Sequence, residues 1–350
     1  MAAKNKMNKK ITALIAAAVI VVLFAAVFFI TGTGAVSNED EETIVTIESG
    51  SGSYQIIDAL DEAGLIKNKT VAKVYIMIFA PDNLQANTYV LNKNMDLKTM
   101  IEIISTGDFE HLLKTKFTII EGSTIPDAAE NIAEALGFEK EDVLKVWSDK
   151  AFLKELIDEY WFLTEDILDS DIMFPLEGYL YPETYFVVDQ EPTVESVTRH
   201  CLDIMNENLT PLKEQIESMN MSIHEFVTLA SVVEAESLYA EDYSAIAGVF
   251  FNRLVAVMPL QSDITVLYAL QEKRVDVTLN DLEVDSKYNT YKYAGLPVGP
   301  VCTVRAEILD ACVNYEKHDY LYFFATETGK VIYNKTLAEH NATVSENLWY

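Results

Sequence analysis

Hydrophobic positions fall first into one unbroken block and then into short periodic runs. Residues 11–30 (ITALIAAAVIVVLFAAVFFI) hold one weakly polar side chain, Thr12. At about 1.5 Å per residue this is ~30 Å of helix, the thickness of a bilayer's hydrocarbon core. A polar stretch over 31–43, rich in Gly, Thr and Glu, reads as a linker. Ile44-Val45-Thr46-Ile47 is β-branched and strand-like, and Ser49-Gly50-Ser51 breaks it. Ile56, Ile57 and Leu60 recur at helical spacing within Tyr54–Ala63, with Gly64 placed as a C′ stop. A helix over Val71–Phe79, a strand over Thr88–Leu91 and a helix over Leu97–Ile104 close a small α+β unit near Gly107. Its opening recurs 72 residues later. Thr46-Ile47, Gly50-Ser51, Leu60 and Glu62-Ala63 align with Thr118-Ile119, Gly122-Ser123, Ile132 and Glu134-Ala135. Two copies fall short of the roughly three that a solenoid needs, so these are two related strand-turn-helix units.

Residues 138–172 are acidic and helical in pattern, with Trp147, Phe152, Leu156, Tyr160 and Trp161 as expected core anchors. Phe174–Tyr185 (FPLEGYLYPETY) breaks that rhythm with Pro175, Gly178 and Pro182, and a helix over Val194–Asn208 follows. The best-defined helix starts at Ser222, which forms a capping-box pattern with Glu225 ahead of a stripe of Phe226, Val227, Leu229, Ala230 and Val233. Glu234 and Glu236 flank opposite edges of that stripe. A carboxyl bordering apolar surface loses solvent, which raises its pKa and suits it to general acid work. The wheel alone does not choose between the two glutamates, nor exclude ordinary solvated helix-end carboxylates.

Charge sharpens the topology. The chain of 350 residues has a net charge of −29. Residues 1–30 carry only Lys4, Lys6, Lys9 and Lys10; the remaining 22 basic and 55 acidic side chains leave −33 beyond the anchor. Such a surface repels nucleic acid phosphates, so nucleic acid is excluded as a partner. Lysines before the apolar block and acids over Glu39–Glu42 place the N-terminus in the cytoplasm and the bulk outside, in a single-pass arrangement. Gly32-Thr33-Gly34 offers a cleavage site to the rival reading, a signal peptide, but signal-peptide cores are shorter, about 7–15 residues. Cys201, Cys302 and Cys312 lack metal-like spacing and read as buried small hydrophobes, with Cys302 and Cys312 the only pair worth testing for a disulfide. The five histidines form no ligand pair on one helix, and the sequence has no Walker loop or dinucleotide fingerprint, so neither a metal nor another cofactor is expected.

Polar and aromatic clusters punctuated by Gly and Pro follow the capped helix: Met258–Tyr268 (MPLQSDITVLY), Tyr288–Tyr291 (YNTY) and Gly295–Pro300 (GLPVGP). They read as rigid loops presenting directional partners for sugar hydroxyls and flat rings for sugar faces. With Leu229–Glu236 (LASVVEAE), Val249–Leu254 (VFFNRL), Leu176–Tyr185 (LEGYLYPETY) and Tyr320–Asn341, they make seven motifs in order. In these motifs the chain resembles the endolytic murein transglycosylases of the MltG (YceG-like) type over roughly residues 44–345. It departs from them at Ile264 and Val298, where the family usually has Pro, and near Thr303-Val304-Arg305, where an Asn-Pro-Gly is common.

The resemblance implies an α+β architecture: a cytoplasmic tail (1–10), a transmembrane helix (11–30), a linker (31–43), a LysM-like unit (44–110) and a larger mixed catalytic domain (111–350). It implies Glu234 as the catalytic residue, which settles the choice the wheel left open. The reaction implied is non-hydrolytic cleavage between N-acetylmuramic acid and N-acetylglucosamine, giving a 1,6-anhydro end. Gln261, Ser262, Asp263, Asn289, Tyr291 and Glu177 are the expected substrate-binding residues. Asp263 also reads as an N-cap, Glu177 as a partner for backbone donors in its own turn, and Tyr288, Tyr291 and Tyr293 as one face of an exposed strand. Glycan strands are the expected substrate, and membrane-bound synthases of the wall the expected protein partners. Two rivals stand beside this: a hydrolytic muramidase, needing a second carboxylate roughly 5–9 Å away, and a non-catalytic scaffold that holds glycan.

Overall fold

The computed structural model describes residues 2–347 except 80, 82, 190 and 275, with side chains from residue 10 onward. Its contacts divide the chain into two compact units, with the change at Lys114 and Thr115 and a short return of the chain to the first unit at Val188.

In the first unit, helix α1 (Ala2–Thr33) contains the apolar block. Lys10–Thr33 is long and apolar enough to cross a membrane, and its most apolar window is wholly unburied by protein. Strand β1 (Glu42–Ile47) pairs antiparallel with β2 (Asn87–Asn92), Val45 standing opposite Tyr89. Helices α2 (Ser53–Glu62) and α3 (Lys69–Phe79) lie between them in sequence. Strand alternation turns Val45 and Ile47 into the core and leaves Ile44 outside. Ile56, Ile57 and Leu60 meet them from α2 as the helical spacing requires. Helix α4 (Leu97–Thr106) begins with the Asp96 carboxylate accepting the Thr99 N–H at 2.8 Å and stops at Gly107. The polar stretch after α1 is not a loose tether. Ser37 N–H donates to Lys93 O and Lys93 N–H to Glu41 O, fastening it beside the end of β2.

The second unit repeats the opening. Strand β3 (Thr115–Thr118) leads through a turn at Gly122 into α5 (Ile125–Leu136), as β1 leads through Gly50 into α2. Both turn glycines have positive φ, 80° and 69°, which a side chain would strain. Helices α6 (Lys140–Val146) and α7 (Lys150–Glu159) follow, then β4 (Thr184–Val187), which pairs antiparallel with β3. Phe117 and Tyr185 stack across that pair with centroids 4.9 Å apart. Trp147, Phe152, Leu156 and Tyr160 are core, whereas Trp161 is only half-buried. The Trp147 Nε1–H donates to Thr198 Oγ1 at 2.7 Å from α8 (Val194–Leu209).

Helices α9 (Lys213–Ser218), α10 (Ile223–Glu236), α11 (Tyr243–Val255), α12 (Asp263–Leu270) and α13 (Ala306–Val313) complete the helical body. A hairpin of β5 (Tyr322–Ala325) and β6 (Val331–Asn334), with α14 (Leu337–Asn347), ends the described chain. The fold is α+β, every paired strand being antiparallel. No strand forms over Tyr288–Tyr293: that segment is a series of turns. The cysteines are free and buried, so Cys302 and Cys312 are not bridged.

Candidate active site

Helix α10 is central rather than amphipathic: Phe226 through Glu234 are buried without interruption. Packing on several sides explains this, because α9, α11, α12 and α13 all touch it. Its start is fixed by the expected capping box, with Glu225 N–H donating to Ser222 Oγ and Ser222 N–H to Glu225 Oε2. At the second residue of the helix, His224 Nε2 faces the Val298 carbonyl at 2.9 Å. That carbonyl can only accept, so Nε2 carries the proton and Nδ1 is left to accept from Tyr179 Oη at 2.8 Å. Ser231 Oγ accepts the Val301 N–H at 3.0 Å. The loop after GLPVGP is therefore sewn along the helix. Gly178 leaves room for it, since a Cβ there would lie 2.5 Å from Pro300.

This sewing delivers Arg305 to Glu234. Arg305 is the N-cap of α13, and its backbone N–H donates to Glu234 Oε2 at 3.1 Å. Its Nε and Nη2 donate to Oε1 at 2.8 and 2.6 Å. Glu234 is only 5% exposed. The sequence expects an apolar setting beside Val227, Ala230 and Val233; the structure adds an ion pair.

A cleft reaches the end of α10 at Glu236. Its volume of about 410 Å³ is lined by Glu236, Gln261, Ser262, Asp263, Tyr291, Arg253, Tyr322 and His340, among others. Glu234 is not part of its wall. Thr290 ties the two polar loops together: it accepts the Gln261 N–H through its carbonyl and the Ser262 N–H through Oγ1. Gln261 is held at φ 49°, a backbone conformation that side chains rarely adopt. Ser262 Oγ donates to Glu236 Oε1 at 2.6 Å, and Tyr291 Oη to Asp263 Oδ1 at 2.6 Å. Asp263 is the first residue of α12, not its cap; Ser262 takes the cap position. Burial pushes the Glu236 carboxyl above its usual range, with Asp263 adding to the shift against the Ser262 hydrogen bond. Burial likewise raises Tyr291, helped by its bond to Asp263.

Asn289 and Glu177 are placed elsewhere. Asn289 is fully buried; its amide donates to the Leu282 and Val284 carbonyls at 2.8 and 2.9 Å, and its Oδ1 accepts from Tyr291 N–H. It shapes the loop that presents Tyr291. We expect Asn289→Ala to cost about 3 kcal/mol in denaturant unfolding, because two carbonyls lose their donor. An unchanged midpoint with slowed catalysis would instead make it a substrate contact. Glu177 is also fully buried. It accepts from the Ile125 N–H at the start of α5 at 3.1 Å and from Tyr268 Oη at 2.9 Å. It serves a distant backbone donor as well as the Gly178 N–H of its own turn. Arg253 pairs with carbonyls instead of a carboxylate: Nε with Leu321 O and Nη1 with Leu260 O, both at 2.6 Å. Sequence reasoning left Glu236 open, read Arg253 equally as a partner for a nearby carboxylate or as a substrate contact, and gave Tyr322 no role of its own within the Tyr320–Asn341 motif. Tyr322 reaches the cleft on the β5–β6 hairpin.

Comparison with known proteins places this geometry in a family. The YceG-like family model matches residues 45–346. An endolytic murein transglycosylase of Bacillus subtilis (strain 168) is 35% identical over 306 residues, 87% of this chain and 84% of that protein. One from Streptococcus pneumoniae serotype 2 is 34% identical over 329 residues, and the match spans 59% of its length. The crystal structure of a YceG-like protein from Listeria monocytogenes superposes with a TM-score of 0.63 at 37% identity, covering 87% of this chain and all of that one. The chain belongs to the YceG-like family.

Proposed function

We propose that this protein is a membrane-anchored lytic transglycosylase that cuts within peptidoglycan glycan strands at the bond between N-acetylmuramic acid and N-acetylglucosamine. The observation that carries the reading is the open cleft of hydroxyl, amide, carboxyl and aromatic groups beside the carboxylate-bearing end of α10. The names of the relatives in Bacillus and Streptococcus support it.

Glu234 is the proposed acid and base. Protonated, it gives its proton to the leaving N-acetylglucosamine oxygen as the bond to C1 breaks. The resulting carboxylate takes the proton of the muramic acid C6 hydroxyl as that oxygen closes on C1. Glu234 ends protonated again, and no water is consumed. Since Arg305 holds both its oxygens, Glu234 enters this cycle only after Arg305 lets go. One observation favours a second reading, in which Glu236 is the acid: it lines the cleft, and burial raises its pKa. Gln261, Ser262, Asp263 and Tyr291 are proposed to hold the sugars.

Digestion of purified peptidoglycan by the full chain in detergent, followed by mass spectrometry of the glycan ends, tests the reaction. Anhydro ends, one water lighter than reducing ends, are expected. Reducing ends would make the enzyme a muramidase, and intact strands would leave a glycan-holding scaffold. The first unit's β-α-α-β order supports a separate LysM-like module that keeps the enzyme on its polymer. Anchoring by α1 would place the enzyme beside membrane-bound wall synthases, its proposed protein partners. With the catalytic unit outside the cell, protease added to wall-stripped cells should remove everything beyond about residue 33; a protected second unit would reverse the topology.

A further inference from the structure

The polar groups lining the cleft differ in how much of their hydrogen-bonding capacity is used. Some satisfy each other: Ser262 bonds Glu236, and Tyr291 bonds Asp263. Arg253 lines the same cleft and is only 8% exposed. Its Nε and Nη1 are spent on the carbonyls of Leu321, Leu260 and Pro259, and among the described residues Nη2 has no partner and no carboxylate forms an ion pair with it. Arg253 lies 5.0 Å from the centroid of Tyr322, and His340 stacks on the same ring at 5.3 Å. The buried Nδ1 of His340 also lacks a hydrogen-bond partner. Glu236 attracts Arg253 through space without forming an ion pair, so the buried cation is only partly compensated, and an anion in direct contact would complete it. Guanidinium matches a planar carboxylate best.

We propose that Arg253, flanked by His340, is a receptor for a carboxylate carried by the wall glycan, so that the enzyme reads an acidic substituent as well as the sugar backbone. This deepens the glycan-cleaving function proposed above and rests on it. Glu236 and Asp263 face the same space and would repel an anion placed near them. Each already accepts a hydrogen bond, and Arg253 is the only Arg or Lys among the described lining residues, so the anion is directed to it. Peptidoglycan offers two sources of this chemistry: the lactyl carboxylate of muramic acid where the peptide is missing, and the carboxylates of the stem peptide where it is present.

The test is calorimetric titration of the full chain in detergent with one tetrasaccharide of alternating N-acetylglucosamine and N-acetylmuramic acid in three forms. The first carries free lactyl carboxylates, the second their neutral methylamides, the third stem peptides with their own carboxylates. One or both charged forms should bind roughly tenfold or more tightly than the methylamide, the scale of a desolvated charge pair. Whichever form gains identifies the source. Equal binding of all three overturns the receptor and leaves the glycan reading standing. Binding of none removes both. In Arg253→Gln the preference for charge should disappear, and in Arg253→Lys it should survive in part. A folded Arg253→Gln that keeps the full preference also overturns the proposal. Should that variant fail to fold, the ligand series on the native chain decides alone.

Discussion

Glu234→Gln is expected to lower the rate of glycan cleavage by at least ~10²-fold, the scale of a lost positioned acid–base group, and Glu236→Gln to lower it far less. The substitution keeps the outline of the side chain and removes the carboxyl that gives a proton in the first half of the proposed reaction and takes one in the second. It also disturbs the fold in a predictable way. Gln retains one acceptor oxygen and turns an NH2 towards a donor of Arg305, where the carboxylate accepted from three. Unfolding by denaturant should register about 1–3 kcal/mol for that clash. The rate loss must therefore be taken per folded molecule, with circular dichroism fixing the folded fraction. A dead Glu236→Gln beside an active Glu234→Gln would move the chemistry to the cleft wall. Equal losses would leave neither residue as the sole acid.

What the sequence reveals and what it hides divide along chain separation. Beyond α1, which runs past the 11–30 block at both ends, elements of the first unit are legible to within about two residues because their signals are local: the β-branched run Ile44–Ile47, the helical spacing of Ile56, Ile57 and Leu60, the stop near Gly107. The Ser222–Glu225 box is legible for the same reason. The site is assembled from groups far apart. Arg305 meets Glu234 across 71 positions, and Tyr268 meets Glu177 across 91. Nothing in the apolar stripe read for α10 announces that α13 will pack against it. Polarity is likewise ambiguous as a sign of substrate contact. Asn289 and Tyr291 occupy one motif, yet Asn289 holds the loop and Tyr291 faces the cleft. The conformation of Gln261 could not be read either, since its positive φ follows from the Thr290 bonds on both sides of its peptide link to Ser262.

Glu177 gives the chain a pH-dependent stability that Glu177→Gln should lack. Burial pushes this carboxyl from about 4.5 up to about 8, outweighing the Ile125 and Tyr268 donors, with Asp127 adding to the rise. Below about pH 4.5 the group is protonated whether the chain is folded or not, and its contribution is fully present. Between 4.5 and 8 the unfolded chain releases the proton while the folded chain keeps it. The folded state then binds more protons, so stability falls as pH rises, by up to ~1.4 kcal/mol per pH unit. Above 8 both states are ionised and the contribution is gone. All three tryptophans lie after residue 114, and Trp147 lies in the core of the second unit with Trp161 packed against it, so fluorescence follows its unfolding in the full chain held in detergent. Other titrating groups contribute to both proteins and largely cancel in the difference. The advantage of Glu177→Gln over the native chain should therefore grow from pH 5 to 8 and then level off. Parallel curves would mean that Glu177 is ionised in the folded protein at neutral pH. Because Tyr268 belongs to α12, whose first residue Asp263 lines the cleft, loosening at Glu177 should also reach the substrate side.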